Sequence, residues 1–181
     1  MKRNLIALAA LGLFAFGCSE SPTETQADMA ATPAFGAGNG VMHHVSAGSN
    51  DACEAFGLEP GCDGNFSLTA TQKADGSVKG QWQDSFGPNG GVHVSIDCLN
   101  VQDNWAIIGG VITKGSGAAE GSEGQRALTA VVDNGKSKND PVDQISFSIF
   151  PTGASCTDLT IDNFANLGFL FDLTRGQVTV K

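Results

Sequence analysis

The sequence predicts an all-β fold: an antiparallel sandwich or barrel-like domain of about seven or eight short strands, behind a signal peptide and a disordered tether. Three observations predict it. Apolar and polar residues alternate with period two through much of residues 41–181, and such alternation marks half-buried strands. Helical periodicity is weak after the first residues. The 24 glycines suit turns and bulges better than helices.

The chain opens with Lys2 and Arg3, then an apolar run from Leu5 to Phe16. Positive charge ahead of a short apolar stretch is the layout of a secretory signal. The run is about a dozen residues, against the roughly 20 that a membrane span needs. It ends Ala15-Phe16-Gly17-Cys18. This ending resembles the bacterial lipobox, in which small residues precede a cysteine, with Ala15 where leucine is most favoured. The resemblance implies diacylglyceryl transfer to the Cys18 thiol, cleavage between Gly17 and Cys18, and acylation of the new amino terminus. Each buried CH₂ of an acyl chain contributes about 0.8 kcal/mol, so one chain binds marginally and two or more bind stably. The palmitate-type anchor would make the membrane the first partner. Ser19 stands where an aspartate retains many lipoproteins in the inner membrane, which by analogy favours the outer membrane.

Residues 18–40 are rich in Ser, Thr, Ala, Gly and Pro with no apolar period, a composition that buries too little to order itself and reads as a flexible tether. The expected organisation is a signal peptide over 1–17, a lipidated tether over 18–40 and an all-β domain over 41–181.

Within that domain, Val41–Ala47 reads as a first strand. Phe66, Leu68 and Ala70 share one face of the next, and Val78, Gly80 and Trp82 alternate in its partner. Ala74-Asp75-Gly76 turns the chain between them into a hairpin. Val92, Val94, Ile96 and Cys98 are expected on one face of a fourth strand, with His93, Ser95 and Asp97 on the other. Gln102-Asp103-Asn104 turns into Trp105–Thr113. Lys114–Gln125 reads as a Gly/Ser/Glu loop. Arg126–Asp133 and Gln144–Phe150 form a third pair, and Gln177–Lys181 a closing strand. Ile161–Leu173 mixes apolar and polar residues and suggests only a short helical turn.

The formal charge is −9, and loss of Lys2 and Arg3 with the signal makes the balance more acidic. That excludes a basic surface for nucleic acid and favours solubility, or cations as partners. With Cys18 lipidated, an even set remains: Cys53, Cys62, Cys98 and Cys156. In an exported chain this fits two disulfides, with three pairings open. Cys53–Cys62, close in sequence and flanked by Gly57, Pro60 and Gly61, is the preferred one, which leaves Cys98–Cys156 to close a long loop. Paired CxxC spacing is absent, so zinc is disfavoured.

The segments from Gly91 to Val101, Ala106 to Thr113, Val131 to Gly135 and Asp140 to Ser146 resemble uncharacterised secreted all-β domains of bacteria. The shared features are a strand ending Cys-Leu-x-Val, a second strand with a central glycine, and a Val-x-Asp-Asn-Gly turn before an Asp-x-Ile strand. The resemblance spans about Asn65 to Lys181 and implies the fold without an activity.

One cluster has the chemistry of a site. Asp133, Asn134, Asp140 and Asp143 place oxygen ligands on one loop, as a hard cation such as Ca²⁺ requires. The spacing is not that of an EF-hand, and Asn134-Gly135 is equally a tight-turn pair. His43 and His44 are adjacent, so on a strand they face opposite sides. His93, Ser95 and Asp97 line one face of a strand, but a triad needs a nucleophile in reach of a base and an oxyanion hole. Trp82 and Trp105 lie in strand patterns and read as core rather than as sugar platforms. No catalytic residue is assigned. The sequence predicts a non-enzymatic envelope lipoprotein whose β-domain is structural or binds a partner, such as an envelope protein. The alternative is a Ca²⁺- or glycan-binding module; a hydrolase fits less well.

Overall fold

The computed structural model describes residues 40–49, 57, 59, 64–137, 139–173 and 175–181. Cys18, the rest of residues 1–39, and the Cys53–Cys62 pairing lie outside the described residues. The described residues form nine strands: β1 (Val41–Ser49), β2 (Phe66–Lys73), β3 (Val78–Ser85), β4 (Gly90–Gln102), β5 (Trp105–Gly117), β6 (Arg126–Val132), β7 (Gln144–Ser146), β8 (Leu170–Asp172) and β9 (Gln177–Val180). They form one antiparallel sheet in the order β8-β7-β6-β5-β4-β3-β2-β1-β9. Strands β1 to β8 are thus an up-and-down meander, and β9 returns to pair with β1. The sheet curls into a half-barrel around a core that includes Val45, Phe66, Leu68, Trp82, Val92, Val94, Ile108, Val131, Ile145 and Val178.

Strands β2 to β4 follow the alternation that the sequence predicts. Phe66, Leu68 and Ala70 are buried while Ser67 and Thr69 face solvent, and Val92, Val94 and Ile96 are buried while His93 and Ser95 are exposed. The alternation breaks at Asp97. Ile96 pairs with Gly110 and Cys98 with Gly109, so Asp97 is an extra residue, a β-bulge. A bulge of one residue reverses the facing of everything after it. Leu99 therefore enters the inner core, and Cys98 turns to the outer face, opposite to the face expected for it. Arg126 holds the bulged carboxylate with two hydrogen bonds, Nη1 to Oδ2 at 3.1 Å and Nη2 to Oδ1 at 2.8 Å.

Strand β6 and the first part of β5, from Ala106 to Gly110, are buried on both faces. Ile108 and Val131 point inward. Ile107, Leu128 and Ala130 point outward, into a second cluster with Cys156 and Phe164. The chain after β7 supplies this cover. It contains a 3-10 turn at Cys156–Asp158 and helix α1 (Ile161–Asn166). Thr160 caps the start of helix α1, and the Asn163 side chain accepts the Thr160 N–H at 2.7 Å, one half of a capping box. A side chain on Gly109 would collide with Leu128, so glycine lets the outer cluster close. The Cys98–Cys156 disulfide, across a sequence separation of 58, ties β4 to the cover. In the chain-entropy model a loop of that length stabilises by about 4 kcal/mol.

Candidate functional site

Strand β3 continues its alternation one step past Trp82, and this carries Asp84 into the interior. Its side chain is 4% exposed, on a face whose other members are apolar. Phe66 lies opposite on β2 and Val92 opposite on β4. After β7 the chain leaves the ladder at Phe147 and rejoins at Ile149, which bridges to Leu128. That departure delivers Ser148, whose hydroxyl donates to Asp84 Oδ2 at 2.5 Å. Oδ1 of Asp84 finds no donor among the described residues. Burial pushes the carboxyl from the ordinary 3.8 up to about 6, and the Ser148 hydrogen bond opposes the rise.

A cavity of about 330 Å³ has Asp84 in its lining, together with Gly64, Ser85, Phe86, Asn89, Phe147 and Ser148. Phe147 is set by ring contacts, with its centroid 4.1 Å from that of Phe171 and 6.2 Å from that of Phe169. Phe86 packs against the inner core. The site is an apolar recess with one buried carboxyl fixed at one oxygen by a serine. A recess of this kind is the usual form of a small-ligand site. Leaving a buried acceptor unpaired costs about 1–3 kcal/mol, more when it is charged, so Asp84 is an expense to the fold alone.

The acidic loop, read as turn chemistry with calcium as the alternative, uses its oxygens on backbone donors. Asp133 Oδ2 accepts the Val180 N–H at 3.0 Å, and Asp143 Oδ2 accepts the Val178 N–H at 2.7 Å. Both donors lie on the side of β9 that has no strand beside it among the described residues. Their second oxygens take the N–H groups of Gly135 and Asn134 at 3.1 and 2.9 Å. Asp140 accepts the Ser137 N–H at 2.7 Å. Asn134 donates to the Val142 carbonyl at 2.7 Å. The structure thus joins Asp133 and Asp143 along the free edge of β9, where they satisfy donors that an open edge exposes. Among the described residues, no three of the His, Cys, Asp and Glu side chains group to hold a metal ion.

The remaining candidates disperse. His93, Ser95 and Asp97 are exposed, and the Asp97 carboxylate is held by Arg126. His44 Nδ1 lies 3.3 Å from Thr71 Oγ1. Trp82 is 1% exposed and Trp105 packs into the outer cluster, so both serve packing. The sequence reading missed Asp84 and Ser148. The available signal was the pattern Trp82-Gln83-Asp84, which puts an acid at an inward position. Ser148 carried no signal, because its role depends on a contact across 64 residues. No helix among the described residues is long and apolar enough to cross a membrane. No family model, no curated protein and no solved structure matches this chain.

Proposed function

We propose that this chain is a cell-envelope lipoprotein, anchored through a lipid on Cys18, whose β-domain binds a ligand or partner rather than converting one. The observation that carries the binding half is the Asp84 recess: a single buried carboxyl in an apolar wall. Acid–base or nucleophilic catalysis calls for a second polar group poised on the reacting atoms. Ser148 is the group beside Asp84, and its proton is already committed to the carboxylate. Asp84 is the charged group of a lining that also holds Ser85, Asn89 and Ser148, an arrangement suited to selecting and orienting a ligand.

The anchoring half rests on the charged start, the apolar run and the lipobox-like ending at Cys18. Ser19 after the cysteine favours the outer membrane. Labelling of growing cells with palmitate tests the anchor. The full chain takes up label and sediments with membranes, whereas Cys18→Ala loses both. Label retained in Cys18→Ala overturns the proposal.

A further inference from the structure

We propose that the Asp84 cavity binds a small primary amine: one ammonium group on a compact apolar body. This rests on the binding reading above and names its ligand class. Two requirements of the recess lead to it. Oδ1 of Asp84 is buried and lacks a donor among the described residues, so the group that meets it must donate a hydrogen bond. Oδ2 is already held by Ser148, which fixes the orientation of the carboxyl and leaves one acceptor for the ligand. No lysine, arginine or histidine is among the described residues lining the cavity. An ionised Asp84 is therefore a buried negative charge with no cation beside it among the described residues, and such a charge is stabilised by a hydrogen-bonded cation from outside.

The walls select the rest of the molecule. Phe86 and Phe147 supply apolar surface, and their rings also favour a nearby cation. The volume, about 330 Å³, lies at the lower end of the range for ligand sites, roughly 300–1,000 Å³. It suits a single ring or a short chain rather than a peptide or an oligosaccharide. The net charge of −9 adds a long-range bias in favour of cations. Anions are disfavoured by the same charge and by Asp84 itself. A neutral alcohol satisfies the hydrogen bond but not the charge.

The test uses the full chain in mild detergent at neutral pH. It is titrated calorimetrically with 2-phenylethylamine, and with 2-phenylethanol and 3-phenylpropanoate, which share its shape. The amine is expected to bind about tenfold more tightly than the alcohol, as a charge-assisted hydrogen bond is stronger than a neutral one. The propanoate is expected not to bind. Asp84→Asn should bring the amine down to the level of the alcohol. The three-probe comparison on the unaltered protein stands even if that variant does not fold. Equal binding of amine and alcohol, or preference for the propanoate, overturns the amine assignment and leaves a binding recess. Binding of none of the three at millimolar concentration overturns the amine assignment and the recess as a ligand site together.

Discussion

Strands β2 to β4 and strands β5 to β6 belong to one sheet but use their faces differently. The first group buries one face and wets the other, and its sequence alternates accordingly. The second group is enclosed on both sides, and its sequence is almost continuously apolar from Ala106 to Gly110 and from Ala127 to Val132, with Thr129 among the buried residues. The difference is made by the cover that runs from Phe147 to Leu170, not by the strands themselves. A sheet face hidden by another layer tolerates no exposed polar row. The lesson concerns where chemistry arises. The cleft with the buried carboxyl lies at the boundary, where Asp84 of the one-sided region meets Ser148 of the covering chain.

The strongest way to break this contrast is to detach the cover. Replacing Cys98 and Cys156 by alanine removes the cross-link and should cost about 4 kcal/mol by urea unfolding. Amide exchange in residues 156–170 and on β6 should accelerate before that on β2 and β3. Equal acceleration of both groups would mean that the two regions do not differ in how they are held. The second test acts at the boundary. Asp84 titrates near 6 in the folded chain against an ordinary 3.8, so the fold disfavours its ionised form. Its contribution to stability is best below 3.8, falls as pH rises through the window up to about 6, and is flat above. A rise of about two units corresponds to about 3 kcal/mol. Asp84→Asn should therefore remove that loss and stabilise the protein at neutral pH by up to about 3 kcal/mol. It should also flatten the unfolding free energy between pH 4 and 6. A neutral-pH loss of stability would show that the carboxylate is needed for packing.

Smaller effects sharpen the comparison. Asp143→Ala strips acceptors from the Val178 and Asn134 N–H groups and should cost about 1–3 kcal/mol, read by thermal unfolding. The same variant should speed exchange of the Val178 amide on β9. Thr69→Ala, on the wetted face of β2, should change stability by no more than about 0.5 kcal/mol in the same assay. A large effect there would mean that the outer face of β2 is covered.

Much of the fold is legible in the sequence, and particular residues show where legibility stops. Phe66, Leu68, Ala70, Val92, Val94 and Ile96 announce their facing because a period of two survives wherever one side is wet. The disulfide partner left for Cys98 is Cys156, as the structure shows. Cys98 itself misleads, since a bulge at Asp97 has no local marker and reverses the phase after it. Gln144–Phe150 reads as one strand by alternation, but the ladder stops at Ser146 because the chain must cross to Asp84. Strand β8 is invisible because three residues are too few to show a period. The acidic loop shows ligand chemistry, and only the neighbouring β9 reveals that its oxygens cap an edge.

By itself the sequence determined the all-β class, the hairpins, the burial of Trp82 and the expectation of an exported, lipid-bearing start at Cys18. These depend on patterns within a few residues, where side-chain alternation and turn chemistry act directly. Tertiary structure alone decided the ninth strand, the two-sided burial of β5 and β6, the carboxylate caps on β9 and the meeting of Asp84 with Ser148. Each of these needs groups far apart in the chain to share one place, and no local pattern records the closure that brings them together.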